Sequence, residues 1–343
     1  MKKSTFHVAV VGATGAVGQQ ILHLLAERNF PLASLKCLAS SRSAGKTVMF
    51  KGEPITVEEA TPESFEGVDI ALFSAGGSVS KILAPEAVKR GAVVIDNTNA
   101  FRMNPDVPLV VPEINMDIIG DKPGIIANPN CSTIQMVVAL KPLYDKYGIS
   151  RIIVSTYQAV SGAGSQAIEE LLDQSRAVLE GREPECNILP VGKLDKHYQI
   201  AFNAIPQIDV FQDNGFTLEE MKMVNETKKI MGDPNIAVTS TCVRIPVIYG
   251  HSESVYVELK EEFELDEVYR LLNDAPGVTV IDSPEEQKYP LATDAAGKLD
   301  VFVGRIRRDL NHSRGLNMWI VSDNLLKGAA WNAVQIAEHF VQR

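Results

Sequence analysis

The stretch NPNCST places Cys131 directly behind Pro129 and Asn130 and ahead of the apolar run IQMVVALKPL, which has helical character. Asn130 is a good N-cap residue, so the spacing predicts Cys131 at the first position of a helix, where unpaired backbone amides and the helix dipole favour an anion. Such a position lowers a thiol's pKa toward the reactive range, and the same amides can bind the oxyanion formed when a thiolate attacks a carbonyl. The competing reading is a small apolar residue packed at a helix start. Cys37, Cys186 and Cys242 lie in apolar or unpatterned surroundings and read as packing residues. With no CxxC or CxxH pairing, neither a metal site nor a redox dithiol is expected, and no secretory signal is read, so the thiols are expected to stay reduced.

A second constellation stands at the N-terminus. GATGAVG, with Gly12, Gly15 and Gly18 and with Thr14, Ala16 and Val17 between them, follows an apolar strand-like run and opens a helix-like one. Glycines at such a turn let backbone amides approach a pyrophosphate, and the helix N-terminus adds free N–H donors and a favourable dipole. The spacing G-x-x-G-x-x-G is a variant of the dinucleotide fingerprint, and a bare tight turn is the alternative. The next strand, LKCLAS, ends in SRSAGK, so Ser40, Ser41 and Arg42 stand where an NAD binder usually places a carboxylate. That favours the 2′-phosphate of NADP, with a solvated polar loop as the alternative.

The elements that must position these groups follow from periodicity. FHVAVVG, AVGQQILHLLAER, SLKCLAS, VDIALFSA, SVSKILAPEAVKRG and AVVIDNT alternate strand-like and helix-like runs, which predicts a doubly wound, Rossmann-like α/β domain with a parallel sheet. After Ser150 the texture changes to the strand candidates RIIVSTYQAVSG, AVTSTCVRIPV, SVYVELK, KLDVFVGRIRRD and LNMWIVSD, with helices near Ser165–Leu179, Leu218–Ile230 and Leu265–Leu272. This predicts an α+β domain with a mixed or antiparallel sheet. The last segment is helical, with Leu326, Ala330, Val334 and Ala337 on one stripe. The expected division is a dinucleotide-binding domain over 1–130, joined by a C-terminal helix over 324–343, and a catalytic and dimerisation domain over 131–323.

The chain has 343 residues, 45% hydrophobic and 22% charged, which suits about two soluble domains, each with its own core. A net charge of -10 argues against a nucleic-acid surface or a basic membrane patch, so any cation that matters acts locally. No apolar run reaches the roughly 20 residues a membrane span needs, and the cytoplasm is the expected location.

GATGAVG, NPNCSTIQ, QAVSGAG, RIPVIYGHSESV and SDNLLKGAA, in that order over nearly the whole chain, resemble the aspartate-semialdehyde dehydrogenases. The NPNCST and RxPVxxGHSE blocks are specific to that family; the glycine loop is not. The resemblance implies NADPH-dependent reduction of L-4-aspartyl phosphate to L-aspartate 4-semialdehyde with release of phosphate, on the branch to lysine, threonine and methionine, by a homo-oligomer, at least a dimer. It makes Cys131 the nucleophile that forms an acyl-thioester and His251 the general acid/base. Gln158 would orient the acyl group, with Ser161 and Gly162 near the nicotinamide, and Asn324 would reach the cofactor. Arg244 would grip the substrate's α-carboxylate by a two-point fork. Arg102 and Lys222 would hold phosphate with Asn130 assisting, and Glu219, or its neighbour Glu220, would take the ammonium. Arg102, Lys222 and Glu219 read by spacing alone are ordinary surface residues, and only the resemblance lifts them. The remaining histidines, and Arg305, Arg307 and Arg308, are assigned to structure or solvent.

Two related chemistries pair a helix-start cysteine with a histidine and a nicotinamide cofactor: N-acetyl-glutamyl-phosphate reduction and glyceraldehyde-phosphate oxidation. Their cysteine blocks differ from NPNCST. An NADP-binding regulator without catalysis is the rival from another class, disfavoured by the presence of both Cys131 and His251.

Overall fold

A computed structural model of the protein describes residues 4–120 and 124–342. The chain divides into two compact units, one holding the residues up to Asn130 together with those from Gly328 onward, the other Cys131–Lys327. The second unit therefore runs past the Asp323 boundary expected from sequence. Asn324 is the reason: its side-chain amide lies 3.0 Å from the Ser161 hydroxyl and its carbonyl oxygen accepts the Gly250 N–H at 3.0 Å, so this stretch is bonded into the second unit.

In the first unit the described strands are β1 (Phe6–Val11), β2 (Leu32–Ala39), β3 (Thr47–Phe50), β4 (Glu53–Thr56), β5 (Glu58–Glu59), β6 (Ile70–Phe73), β7 (Val93–Asp96) and β8 (Ile125–Ala127). All but β3 and β4 form a parallel sheet in the order β5-β2-β1-β6-β7-β8, as the alternation of runs predicts. Parallel pairing needs covered crossovers, which is why β6 is buried along its whole length. The helices Ala16–Glu27 and Gly77–Lys89 supply the cover. The β3–β4 hairpin was not legible in the sequence. Its turn is Lys51–Gly52, with both residues at positive φ (52° and 82°), the geometry that matches strand twist in a two-residue hairpin. The C-terminal helix Trp331–Gln342 packs on the helix Ala16–Glu27, and Arg28 fixes it by pairing with Glu338 and lying 4.4 Å over the Trp331 ring.

The second unit adds β9 (Ile149–Gln158), β10 (Ala237–Arg244), β11 (His251–Leu259), β12 (Val278–Val280), β13 (Val301–Arg308) and β14 (Gly315–Ser322). They make a mixed sheet in the order β10-β9-β11-β14-β13-β12, with β9 parallel to β10 and antiparallel to β11. Register is what matters for chemistry. Arg244 pairs with Gln158, and Ser252 pairs with Tyr157, so β9 and β10 finish, and β11 begins, at the same end of the sheet.

The helices Cys131–Tyr147 and Leu218–Met231 pack on each other and on this sheet. Between Ser132 and Leu140 the first of them is buried on every side, and each such aliphatic contributes about 1.5–3 kcal/mol on burial, so its start has little freedom to move. Strand alternation sends Ile152, Val154, Val255 and Val257 inward and leaves Ile153, Tyr157 and Trp319 on the other face, where the Tyr157 and Trp319 rings sit 5.6 Å apart.

Candidate active site

The glycine loop of the first unit is shaped by two contacts. Gly12 has φ +87°, and a Cβ there would lie 2.8 Å from the backbone of Ser74; a Cβ on Gly18 would lie 2.1 Å from the Gly12 carbonyl oxygen. Gly12 thus permits the turn and Gly18 lets the helix close on the strand, while Gly15 stands directly before the helix that opens with Ala16 and Val17. The first amides of that helix have no partner within it, which makes this turn fit a pyrophosphate. Beside it is a cavity of about 520 Å³ lined by Gly12, Thr14, Gly15, Ser40, Ser41 and Ser43 among others. Arg42 is exposed and does not line it. A carboxylate that sequence reading missed does: Glu59, brought alongside the end of β2 by the pairing of Ala39 with Glu59.

Still within the first unit, the residues leading to Cys131 are anchored by Asn128, which is fully buried. Its amide donates to Asn97 Oδ1 at 2.8 Å, and its Oδ1 accepts from Asn332 at 2.6 Å. Arg102 is buried too, its Nε donating to the Asn128 carbonyl at 2.9 Å and its Nη2 to the Asn97 carbonyl at 2.8 Å. Sequence reading singled out Asn130 and passed over Asn128, whose role depends on partners distant along the chain.

In the second unit the helix begins at Cys131, as the NPNCST spacing predicts. None of the four cysteines is in a disulfide. Burial raises the other three thiols, Cys37 to about 11, so they are held as thiols at neutral pH. Cys131 lies close enough to Arg244 for the two to interact electrostatically.

The peptide of Ala159 joins two of the expected site residues. Its N–H donates to His251 Nδ1 at 3.0 Å, and its carbonyl accepts from Arg244 Nη1 at 2.7 Å. A ring nitrogen that accepts cannot carry the proton, so neutral His251 is protonated at Nε2. Burial and the neighbouring Arg244 cation push its pKa down to about 3, with Glu219 opposing, so the ring is neutral at physiological pH. Nε2 has no partner among the described residues, and neither has Arg244 Nε. Gly162 floors this space: a Cβ there would lie 2.9 Å from Arg244 Nη1 and 3.2 Å from His251 Cε1.

Gln158 Nε2 donates to Glu219 Oε1 at 3.1 Å, and Lys222 Nζ bridges Glu219 Oε2 at 3.1 Å and Asp209 Oδ2 at 3.0 Å. Asp209, in a long connection and at φ 68°, carries no sequence signal. Glu220 serves the fold instead, in a capping box with Thr217 and as acceptor for the Cys242 N–H at 3.0 Å. Glu219 is therefore the carboxylate of this pair that faces the expected site residues. Ser161 and Asn324 are bonded to each other. Cys131, Gln158, Ser161, Gly162, Glu219, Lys222, Arg244, His251 and Asn324 all belong to the second unit; the glycine loop, Ser40, Ser41, Arg42, Arg102 and Asn130 belong to the first. No group of His, Cys, Asp and Glu among the described residues is arranged to hold a metal ion, and no described helix is long and apolar enough to cross a membrane.

Two family models match, the semialdehyde dehydrogenase NAD binding domain over residues 7–121 and the semialdehyde dehydrogenase dimerisation domain over residues 140–327. An aspartate-semialdehyde dehydrogenase of Bacillus subtilis (strain 168) is 64% identical over 97% of this chain and 96% of its own. The chain belongs to the aspartate-semialdehyde dehydrogenase family. The crystal structure of aspartate semialdehyde dehydrogenase II from Vibrio cholerae complexed with ASA superposes with a TM-score of 0.94 at 50% identity, covering 99% of each chain. That of the Candida albicans aspartate semialdehyde dehydrogenase with NADP has a TM-score of 0.76 at 27% identity, again covering 99% of each chain.

Proposed function

We propose that the protein catalyses the reductive dephosphorylation of L-4-aspartyl phosphate to L-aspartate 4-semialdehyde, in the biosynthesis of lysine, threonine and methionine. The observation that carries the reading is the grouping of Cys131 at a helix start with Arg244 and a His251 whose tautomer is fixed by Ala159. Family membership narrows the substrate.

In this reading the Cys131 thiolate attacks the acyl carbon, a C–S bond forms, and the carbonyl electrons move onto oxygen. They return as the C–O bond to phosphate breaks, which leaves a thioester on Cys131. His251, neutral and protonated at Nε2, donates a hydrogen bond to the oxyanion. Of the acid and base roles expected for it, this geometry favours donation, because the free lone pair sits at Nδ1 and is already engaged by Ala159. The reduced nicotinamide, when bound, supplies the hydride that discharges the thioester. Cys131 leaves as thiolate, so the enzyme ends in the protonation state in which it began.

The remaining groups bind and orient. Arg244 uses Nη1 on Ala159, so its Nε–Nη2 edge is the one offered to the α-carboxylate. Glu219 takes the ammonium, and Gln158, held by Glu219, orients the acyl group. Lys222 and Arg102 hold phosphate with Asn130; Lys222 exchanges part of its pairing with Glu219 and Asp209 to do so. Ser161, Gly162 and Asn324 serve the nicotinamide end of the cofactor.

We assign the cofactor as NADP, from the serines at the end of β2 and from Arg42 on the same loop. Glu59 in the same cavity favours a second reading, in which the ribose hydroxyls of NAD are also accepted. The proposed assembly is a homodimer, with the sheet face of Ile153, Tyr157 and Trp319 as the apolar surface a second copy would cover. The unbridged cysteines fit a cytoplasmic setting. The test is phosphate-dependent reduction of NADP with aspartate semialdehyde, run beside N-acetyl-glutamate semialdehyde and glyceraldehyde 3-phosphate. Turnover with either of the latter in place of the first would remove the proposal.

A further inference from the structure

We infer that Glu253 and Gln135 form a buried positioning pair that locks the start of the Cys131 helix to the strand carrying His251. The inference rests on the reading of Cys131 as nucleophile.

Glu253 lies two residues after His251 on β11 and on the same side of the strand, the side whose later positions are the buried Val255 and Val257. It is fully buried between Thr156 on β9 and Ile320 on β14, and neither of its carboxyl oxygens closes a hydrogen bond among the described residues. Packing alone would be served better by an aliphatic side chain, since a buried carboxylate without a partner opposes folding. Burial, reinforced by Glu219, raises Glu253 well above the carboxylate range, so it is a neutral acid with an O–H to donate.

The side chain that acts on Glu253 is Gln135, whose amide favours its charged form without overcoming burial. Gln135 is fully buried one helical turn after Cys131 and on the same helix face. Its Nε2 donates to the His251 carbonyl at 3.3 Å, and its Oε1 has no partner among the described residues. A protonated Glu253 offers the donor that Oε1 lacks and an acceptor for the second Nε2 hydrogen. Gln135 is thus held from one side by the peptide of His251 and from the other by Glu253, and it fixes the turn of helix that begins with Cys131. Neither residue touches substrate in this scheme; both act through the placing of Cys131 against His251. The charged group that bears on Glu253 is Glu219, which in turn acts on Arg244.

The experiment uses the full-length protein with Glu253→Gln, Glu253→Leu, Gln135→Met and the Glu253→Leu/Gln135→Met double variant, each first assayed for thermal unfolding. Glu253→Gln keeps a neutral hydrogen-bonding head and should retain kcat. Glu253→Leu and Gln135→Met should each lower kcat by about 10- to 100-fold, the scale of a misplaced reacting group, with KM for phosphate and for cofactor little changed. The double variant should lose no more than the worse single one. Iodoacetamide alkylation of Cys131 should slow in the same order, a readout independent of which aldehyde is the substrate. A Glu253→Gln enzyme as impaired as Glu253→Leu would mean that the acid proton itself is used, and it overturns the inference. Additive losses in the double variant, or wild-type kcat in Gln135→Met, overturn it as well. Should Glu253→Leu not fold, Glu253→Met takes its place in the same cycle with Gln135→Met, where a double loss no greater than the worse single one supports the pair, and an undiminished Gln135→Met enzyme ends it.

Discussion

The peptide of Ala159 holds His251 by its N–H, at 3.0 Å from Nδ1, and at the same time holds Arg244 by its carbonyl. Because that bond fixes the neutral ring as an Nε2 donor, kcat/KM should show no imidazole-controlled limb between about pH 5 and 8. His251→Gln, which keeps an N–H donor, should retain more activity than His251→Ala. The pH profiles of the two variants beside the wild type check this, and an acidic limb near pH 6.5 that vanishes in both would return His251 to a titrating role.

The same depressed pKa has a stability consequence. Between the ordinary value of 6.5 and the folded value of about 3, the unfolded chain binds a proton at this site that the folded chain does not. The stability contributed is full above pH 6.5 and is lost as pH falls, by at most about 1.4 kcal/mol per pH unit in that window. Tm measured from pH 7 to pH 4 should therefore fall less steeply in His251→Gln than in the wild type.

Cys131 should alkylate faster near neutral pH than Cys37, Cys186 or Cys242, whose thiols burial has raised. With an aspartyl phosphate analogue and no reduced cofactor, an acyl adduct should accumulate on Cys131, and Cys131→Ala should abolish acyl transfer. Mass spectrometry of the trapped enzyme locates the adduct, and its appearance on another cysteine would return Cys131 to packing.

Arg244→Lys should lose about 3 kcal/mol, roughly a hundredfold, in kcat/KM, because an ammonium cannot hold Ala159 and present a planar fork at once. Gly162→Ala should be nearly as damaging, since its methyl group would press on Arg244 and His251 together. Steady-state kinetics with unchanged thermal unfolding would separate this from a folding defect.

For the cofactor, Arg42→Ala should raise KM for NADP far more than KM for NAD, and Glu59→Ala should do the reverse. Equal effects on both cofactors would argue that neither side chain reads the ribose.

Much of this fold was legible because burial imposes periodicity. The near-continuous apolar runs of β1 and β6 could only be covered parallel strands, and the alternation along β11 could only be a strand with one face packed. Cys131 stood out because a cap residue and an apolar helix bracket it. What stayed hidden depends on partners far along the chain. Asp209 gains its meaning from Lys222, Asn128 from Asn97 and Asn332, and Glu59 from a short strand laid beside β2. Spacing to Lys222 favours Glu219 but leaves Glu220 open, since both fall in the first turn of one helix; the capping box with Thr217 and the bonds of Gln158 and Lys222 to Glu219 separate them.

That division of labour in a single turn means that charge recognition is aimed by a helix start. Thr217, buried and given no substrate contact in the proposed scheme, fixes the rotation of the helix through Glu220, and Glu219 must point wherever that rotation sends it. Affinity for the ammonium can then be tuned from behind. A weaker cap blurs the aim of Glu219 while leaving its chemistry intact, so a directed search for variants with altered amino-acid preference has a place to begin outside the pocket.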